Sequence, residues 1–135
     1  MSNSEKVDKY LTEAKVFYLS TVDGDKPKCR PLGLHKLIND TVYFGIGEFK
    51  EVYKQLEKNP NCEVVAMKQG GGMEWIRING KAIFESDYVL AEKILEENKF
   101  LQDMYSKNNW KLKIFHIKGT VEIRKGLSAA ETYEI

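Results

Sequence analysis

Apolar positions fall at two spacings along this chain, and the switches between them divide it into elements. Val7, Tyr10, Leu11 and Ala14 recur at helical spacing, which predicts a short amphipathic helix from about Ser4 to Ala14 with one covered face. Val16 to Val22 predicts a strand. The following Asp23-Gly24-Asp25-Lys26 predicts a hairpin turn, because Gly24 can supply the positive φ that a tight connection needs. The return strand is expected from Pro27 to Ile38. Asn39-Asp40 then turns the chain into a third strand, Thr41 to Ile46, so that the first three strands form a meander.

A second helix is predicted from about Glu48 to Lys58, with Val52, Tyr53 and Leu56 inward and Asn59-Pro60-Asn61 as its stop. Cys62 to Lys68 predicts a largely apolar, central strand, and Gln69 to Met73 a flexible glycine-rich connection. From Glu74 to Glu85 the alternation sets Trp75, Arg77 and Asn79 on one face of a long strand and Ile76 and Ile78 on the other. Asp87 predicts the cap of a third helix carrying Leu90, Ala91, Ile94 and Leu95. A polar irregular patch near Ser106 to Asn109 precedes the last strand, Leu112 to Ile123. The tail, 126–135, has little periodicity and is expected to be extended and to pack only on a partner. Six strands and about three short helices, without βαβ alternation, predict a mainly β, α+β fold built on an antiparallel barrel.

Composition narrows the function. With 135 residues, 42% of them apolar, the chain supports one domain, 1–135. Its 21 basic and 20 acidic residues leave a formal charge of +1, so it lacks the field that nucleic-acid binders use, and no nucleic-acid partner is expected. The first residues lead into a polar helix without an apolar signal core, and no run is long enough to cross a bilayer, so a cytoplasmic location away from membranes is expected. Cys29 and Cys62 each fall inside a predicted strand and are expected as small buried hydrophobes. His35 and His116 stand outside any cluster with ligand spacing, and no metal site is expected. No acid/base pair or nucleophile triad is legible, so no catalytic side chain is assigned and any catalysis belongs to a cofactor.

The candidate chemistry lies between Pro27 and Pro60. A strand passing through Gly45 and Gly47 into a helix presents free amide N–H groups and the positive end of the helix dipole, which suits a phosphomonoester. Lys50 sits where this helix begins, ahead of Lys54 and Lys58 on a stripe that could equally be solvated. Arg30 is either a ligand contact or a solvated charge in register with Lys26 and Lys28. Pro31 beside it cannot donate to a ladder, which marks a site or an edge. Trp75 is a core, interface or stacking residue, and Arg77 on the same face needs either surface carboxylates or an anionic ligand.

Taken together, Phe17 to Gly24, Arg30-Pro31, Val42-Tyr43-Phe44, Lys50 to Leu56 with Asn59-Pro60, and Trp75 to Ala82 resemble the pyridoxamine-phosphate-oxidase-like FMN-binding split-barrel superfamily. The likeness is to its small single-domain branch, which includes the Nim nitroimidazole-resistance proteins and general-stress flavoproteins. The resemblance implies a six-stranded split barrel forming a homodimer, with FMN in clefts between the subunits. It implies a cofactor-binding set of Arg30, Pro31, Leu32, Phe44, Lys50, Trp75 and Arg77, with core packing as the competing role for Phe44. The implied activity is an FMN-dependent oxidoreductase taking electrons from a reduced nicotinamide to a small aromatic, quinone or nitro acceptor. A non-catalytic flavin- or haem-binding module on the same barrel is the alternative. Ile46 and Phe49 stand where relatives carry a hydroxyl and a second basic residue, a departure that removes two phosphate contacts. Pyridoxamine-phosphate oxidation itself is not expected, since the last residues do not match the family's substrate-binding region.

Overall fold

Helix α1 (Asn3–Ala14) opens the computed structural model, which describes residues 1–70 and 72–135. Its start is a reciprocal cap: the Glu5 amide donates to Ser2 Oγ at 3.1 Å and the Ser2 amide donates to Glu5 Oε1 at 2.9 Å. Val7, Tyr10, Leu11 and Ala14 are all buried, as their spacing predicts.

Strands β1 (Phe17–Asp23) and β2 (Lys26–Leu32) form the expected hairpin around Gly24, whose φ is +65°. The expected single return strand and meander are not found. The segment breaks at Gly33-Leu34 into β2 and β3 (His35–Ile38), and β3 pairs with β4 (Thr41–Gly47). The sheet order β2-β1-β5-β6-β7-β4-β3 sets β2 and β3 at opposite ends of one antiparallel path. A packing fit turns this corner. The Gly45 amide donates to Leu34 O at 3.1 Å, and a Cβ on Gly45 would lie 2.5 Å from Leu34 Cδ2, so a side chain there would displace Leu34 from its present seat.

Helix α2 (Glu51–Lys58) begins later than the predicted Glu48, because Gly47 to Lys50 form a turn closed by the Lys50 amide on Gly47 O at 3.1 Å. Strands β5 (Asn61–Ala66), β6 (Glu74–Phe84) and β7 (Leu112–Lys125) form the middle of the sheet. The glycine-rich connection expected over 69–73 includes Gly71, which lies outside the described residues. β6 and β7 touch most closely where Gly80 faces Gly119; a Cβ on either would fall 2.2 Å or 2.0 Å from a backbone oxygen.

Helices α3 (Val89–Glu96) and α4 (Lys99–Lys107) connect β6 to β7. Asp87 accepts from the Val89 amide at 3.0 Å, although the residue at the helix boundary is Tyr88. α4 was not expected. Its signals are Asn98, whose Oδ1 accepts from the Leu101 amide at 3.2 Å, and the Leu101–Tyr105 pair one turn apart. The tail does not wait for a partner. Glu131–Glu134 forms β8 on β7, the Ile135 amide donates to Gly119 O at 2.9 Å, and Tyr133 and Ile135 pack on the core. Eight strands and four helices among the described residues therefore replace the expected six and three.

The barrel core is centred on Phe17, Phe44 and Phe115, with ring centroids 5.3 Å apart for the first pair and 5.5 Å for the second. A smaller apolar cluster, Ala91, Ile94, Tyr105, Leu112 and Ile114, fixes α3 and α4 to the sheet. Cys62 is buried as expected, whereas Cys29 is exposed because it alternates onto the outer face of β2.

Candidate functional site

Inward alternation along β1 runs Phe17, Leu19, Thr21, so a hydroxyl takes the third core position and must find a partner. The partner is Gln55, the one polar residue on the buried face of α2, which lies between Val52 and Leu56. Thr21 Oγ1 donates to Gln55 Oε1 at 2.6 Å. Opposite Leu19, Arg30 on β2 reaches the same pair: Nη1 donates to Thr21 Oγ1 at 2.8 Å and to Leu19 O at 3.2 Å, and Nη2 donates to Gln55 Oε1 at 2.8 Å.

These bonds fix the guanidinium in place without neutralising it. Three of its N–H donors are used, and the rest face no acceptor among the described residues. Arg30 makes no ion pair among the described residues, and its partial burial pulls its pKa below the ordinary guanidinium value.

Lys50 occupies the N-cap of α2 in extended conformation, and its side chain makes no capping bond. Beside it, the Glu51 and Val52 amides that open the helix have no intrahelical acceptors, while the Tyr53 amide donates to Lys50 O at 3.2 Å. Arg30, Pro31, Leu32, Lys50, Phe49, Glu51 and Val52 together line an open groove of about 490 Å³. Glu51, the one acid on this wall, is engaged with Lys54 at 3.3 Å. The groove therefore carries two uncompensated cations at a helix N-terminus, an arrangement that favours an anion.

Gly47 serves packing. A Cβ there would lie 2.6 Å from Phe49 Cε1, and the Phe49 ring stacks on Trp110 with centroids 4.3 Å apart and planes 19° from parallel. Ile46 is buried in the core. Neither glycine opens onto a vacant cradle of the kind the sequence suggested.

Four of the seven expected cofactor contacts, Arg30, Pro31, Leu32 and Lys50, thus share one groove. Phe44 does not line it and sits in the barrel core at 2% exposure. Trp75 and Arg77 lie on the outer face of β6. Arg77 has carboxylates on both neighbouring strands, Glu63 at 3.3 Å and Glu122 at 3.6 Å. The Trp75 indole N–H is buried without an acceptor among the described residues, and the Arg124 guanidinium lies 5.9 Å from its ring. Tyr18 is exposed on the outer face of β1, and Met67 and Met73, just beyond the end of β5 and the start of β6, are exposed as well. Thr21 and Gln55 were missed. Their signal was a polar residue at an inward position of a strand and of a helix, each otherwise apolar there.

Among the described residues no group of His, Cys, Asp and Glu is placed to hold a metal ion, and no helix is long and apolar enough to cross a membrane.

Residues 4–120 match the family model for pyridoxamine 5'-phosphate oxidase. Among solved structures, the chain is similar to a NimC/NimA family protein from Clostridium acetobutylicum, with TM-score 0.86 and 28% identity over 98% of this chain and 92% of that one. It shares its fold with General Stress Protein 26 from Bacillus anthracis, with TM-score 0.68 and 20% identity over 100% of both chains. It also shares it with a heme binding protein from Mycobacterium smegmatis, with TM-score 0.72 and 12% identity over 99% of this chain and 58% of that one. No curated protein matches the sequence. A match over most of the chain, on a barrel of this topology, means that the protein belongs to the pyridoxamine 5'-phosphate oxidase family.

Proposed function

We propose that this chain binds FMN through the Arg30–Lys50 groove and works as a homodimeric oxidoreductase, passing electrons from a reduced nicotinamide to a small aromatic, quinone or nitro acceptor. The observation that carries the reading is the pair of cations without carboxylate partners on one groove at the start of α2. A phosphomonoester fits this donor set. Arg30 is preorganised by Thr21 and Gln55, so binding an anion costs it little further ordering, while Lys50 supplies a mobile charge. The free amides of the first turn of α2 add donors that depend on no side chain. They stand in for the hydroxyl and basic residues replaced by Ile46 and Phe49.

Bound FMN would supply the electron-accepting ring. Around it, Pro31 and Leu32 offer an apolar edge, and among the described residues Glu51 and Lys50 are the side chains of the groove able to exchange a proton near neutral pH. The homodimer is supported by the outer face of β1 and β6 and the adjoining end of β5, where Tyr18 and Met67 are half exposed and the Trp75 N–H lacks an acceptor among the described residues.

Purified protein should carry or take up FMN with flavin absorbance in the visible, and run as a dimer. A colourless monomer indifferent to added FMN contradicts the proposal. A second reading, a binding module without turnover, is favoured by Ile46 and Phe49 at the phosphate and by the kinship of fold with a heme binding protein. It is the correct one if FMN binds and neither reduced nicotinamide nor a panel of acceptors changes its oxidation state.

A further inference from the structure

The turn from Gly47 to Lys50, which delivers Lys50 and the start of α2 to the groove, is held by residues that do not themselves line the groove. Its backbone is tied to β7. The Glu48 amide donates to Lys111 O at 2.9 Å, which carries the β4–β7 pairing one residue past the end of β4. Its side chains are tied to the helical layer. Glu48 Oε2 accepts from the hydroxyl of Tyr88, the residue at the start of α3, and makes no ion pair among the described residues. Next along the turn, the Phe49 ring stacks on Trp110, which lies between α4 and β7.

Both outer partners are themselves fixed. The Lys113 ammonium lies 4.8 Å from the centre of the Tyr88 ring, and Lys113 is only 7% exposed, with Nζ donating to Glu85 O at 3.1 Å. Tyr105 meets the Trp110 ring edge-on at 5.7 Å and 83°. The turn they hold has little of its own to hold it. It starts at a glycine, Phe49 and Lys50 are exposed, and the Lys50 side chain makes no capping bond. Where the Lys50 charge and the Glu51 and Val52 amides stand is therefore decided by what grips Glu48 and Phe49.

We propose that Tyr88 and Trp110 are positioning residues of the anion seat: the α3–α4 layer grips the turn through the Tyr88–Glu48 bond and the Trp110–Phe49 stack, and so sets where Lys50 and the first amides of α2 meet a phosphate. The effect on binding rests on the groove taking FMN, whereas the grip on the turn belongs to the free protein. One pair of contacts fixes a charge, the other a ring.

Amide hydrogen exchange of the ligand-free protein reads the grip, and calorimetric titration with FMN and with riboflavin reads its effect on the seat. In Tyr88→Phe, which loses only the hydroxyl, the Glu48 and Lys50 amides should exchange about tenfold faster, while amides of β6 and β7 keep their rates. That variant should bind FMN about fivefold or more weakly and riboflavin as the wild type does. Glu48→Gln still offers Tyr88 an acceptor and should keep both the slow exchange and the FMN affinity. Trp110→Leu should loosen the turn, and Trp110→Phe, which leaves a ring to stack on, should not. Unchanged exchange at Glu48 and Lys50 in Tyr88→Phe overturns the proposal, as does a loosened turn with an unchanged preference for FMN over riboflavin. A wild type that binds the two flavins equally refutes the phosphate seat and removes the positioning role with it, even where the exchange result holds.

Discussion

Arg30 and Lys50 come from different elements, separated in sequence by β3 and β4, yet line the same groove. The sheet achieves this by splitting the segment after β2. With β2 at one end of the path and β4 beside β7, the turn after β4 delivers the start of α2 to the open edge of β2. Arg30 is held by three hydrogen bonds and Lys50 by none, so the pair combines a fixed charge with a mobile one.

Lys50→Ala should therefore weaken FMN binding with little effect on the fold. A charge-assisted contact contributes about 1.5–3 kcal/mol, or roughly ten- to hundredfold in Kd. Fluorescence titration of the flavin measures it, with the thermal midpoint as the control. An unchanged Kd would place the phosphate elsewhere.

Gln55→Leu should cost more in stability than a surface change does. It strips the shared acceptor from Thr21 and Arg30, leaving buried donors unpaired at about 1–3 kcal/mol. Urea unfolding checks the loss. Because Arg30 also loses its anchor, FMN affinity should fall in parallel although Gln55 does not line the groove.

Replacing Gly119 with alanine should lower the thermal midpoint sharply. The new methyl would sit 2.0 Å from Asn79 O, so two paired backbones must separate. A loss of about 2 kcal/mol or more, or roughly 6 °C, is expected from calorimetry. The same substitution at Gly24, where φ is +65° but the space is open, should cost only the strain of its backbone.

His35 should make the protein less stable as the solution is acidified. Burial lowers its pKa below 6.5 in the folded state, and the Asp8 carboxylate at 3.1 Å offsets this only in part. The unfolded chain then takes up the proton first as pH falls below 6.5, and stability rises with pH across that window. Thermal midpoints of the wild type between pH 7.5 and 5.5 should fall further than those of His35→Gln. Parallel curves would remove His35 from the effect.

Much of this architecture was legible in the sequence where apolar spacing was regular. α1, the β1–β2 hairpin and the alternation of Ile76 and Ile78 against Trp75 and Arg77 appear as expected. What escaped was set by fits between distant residues. The corner at Gly33-Leu34 is backed by the Gly45 amide and the space that Gly45 leaves for Leu34, and β8 is drawn onto β7 by backbone pairing that ends in the Ile135–Gly119 bonds; neither leaves a periodic trace in its own segment. The site was half legible for the same reason. Arg30 and Lys50 were found as charges beside a proline and at a helix start. Thr21 and Gln55, which position Arg30, act only once α2 packs across β1.

The proposed phosphate seat is tested most directly by comparing FMN with riboflavin in one calorimetric titration series. Loss of the phosphate should weaken binding by about a hundredfold or more, since it removes contacts to two cations and the α2 amides together. In Lys50→Ala that gap should narrow. Equal affinity of the wild type for FMN and riboflavin, or binding of neither, would contradict a groove built for an anion.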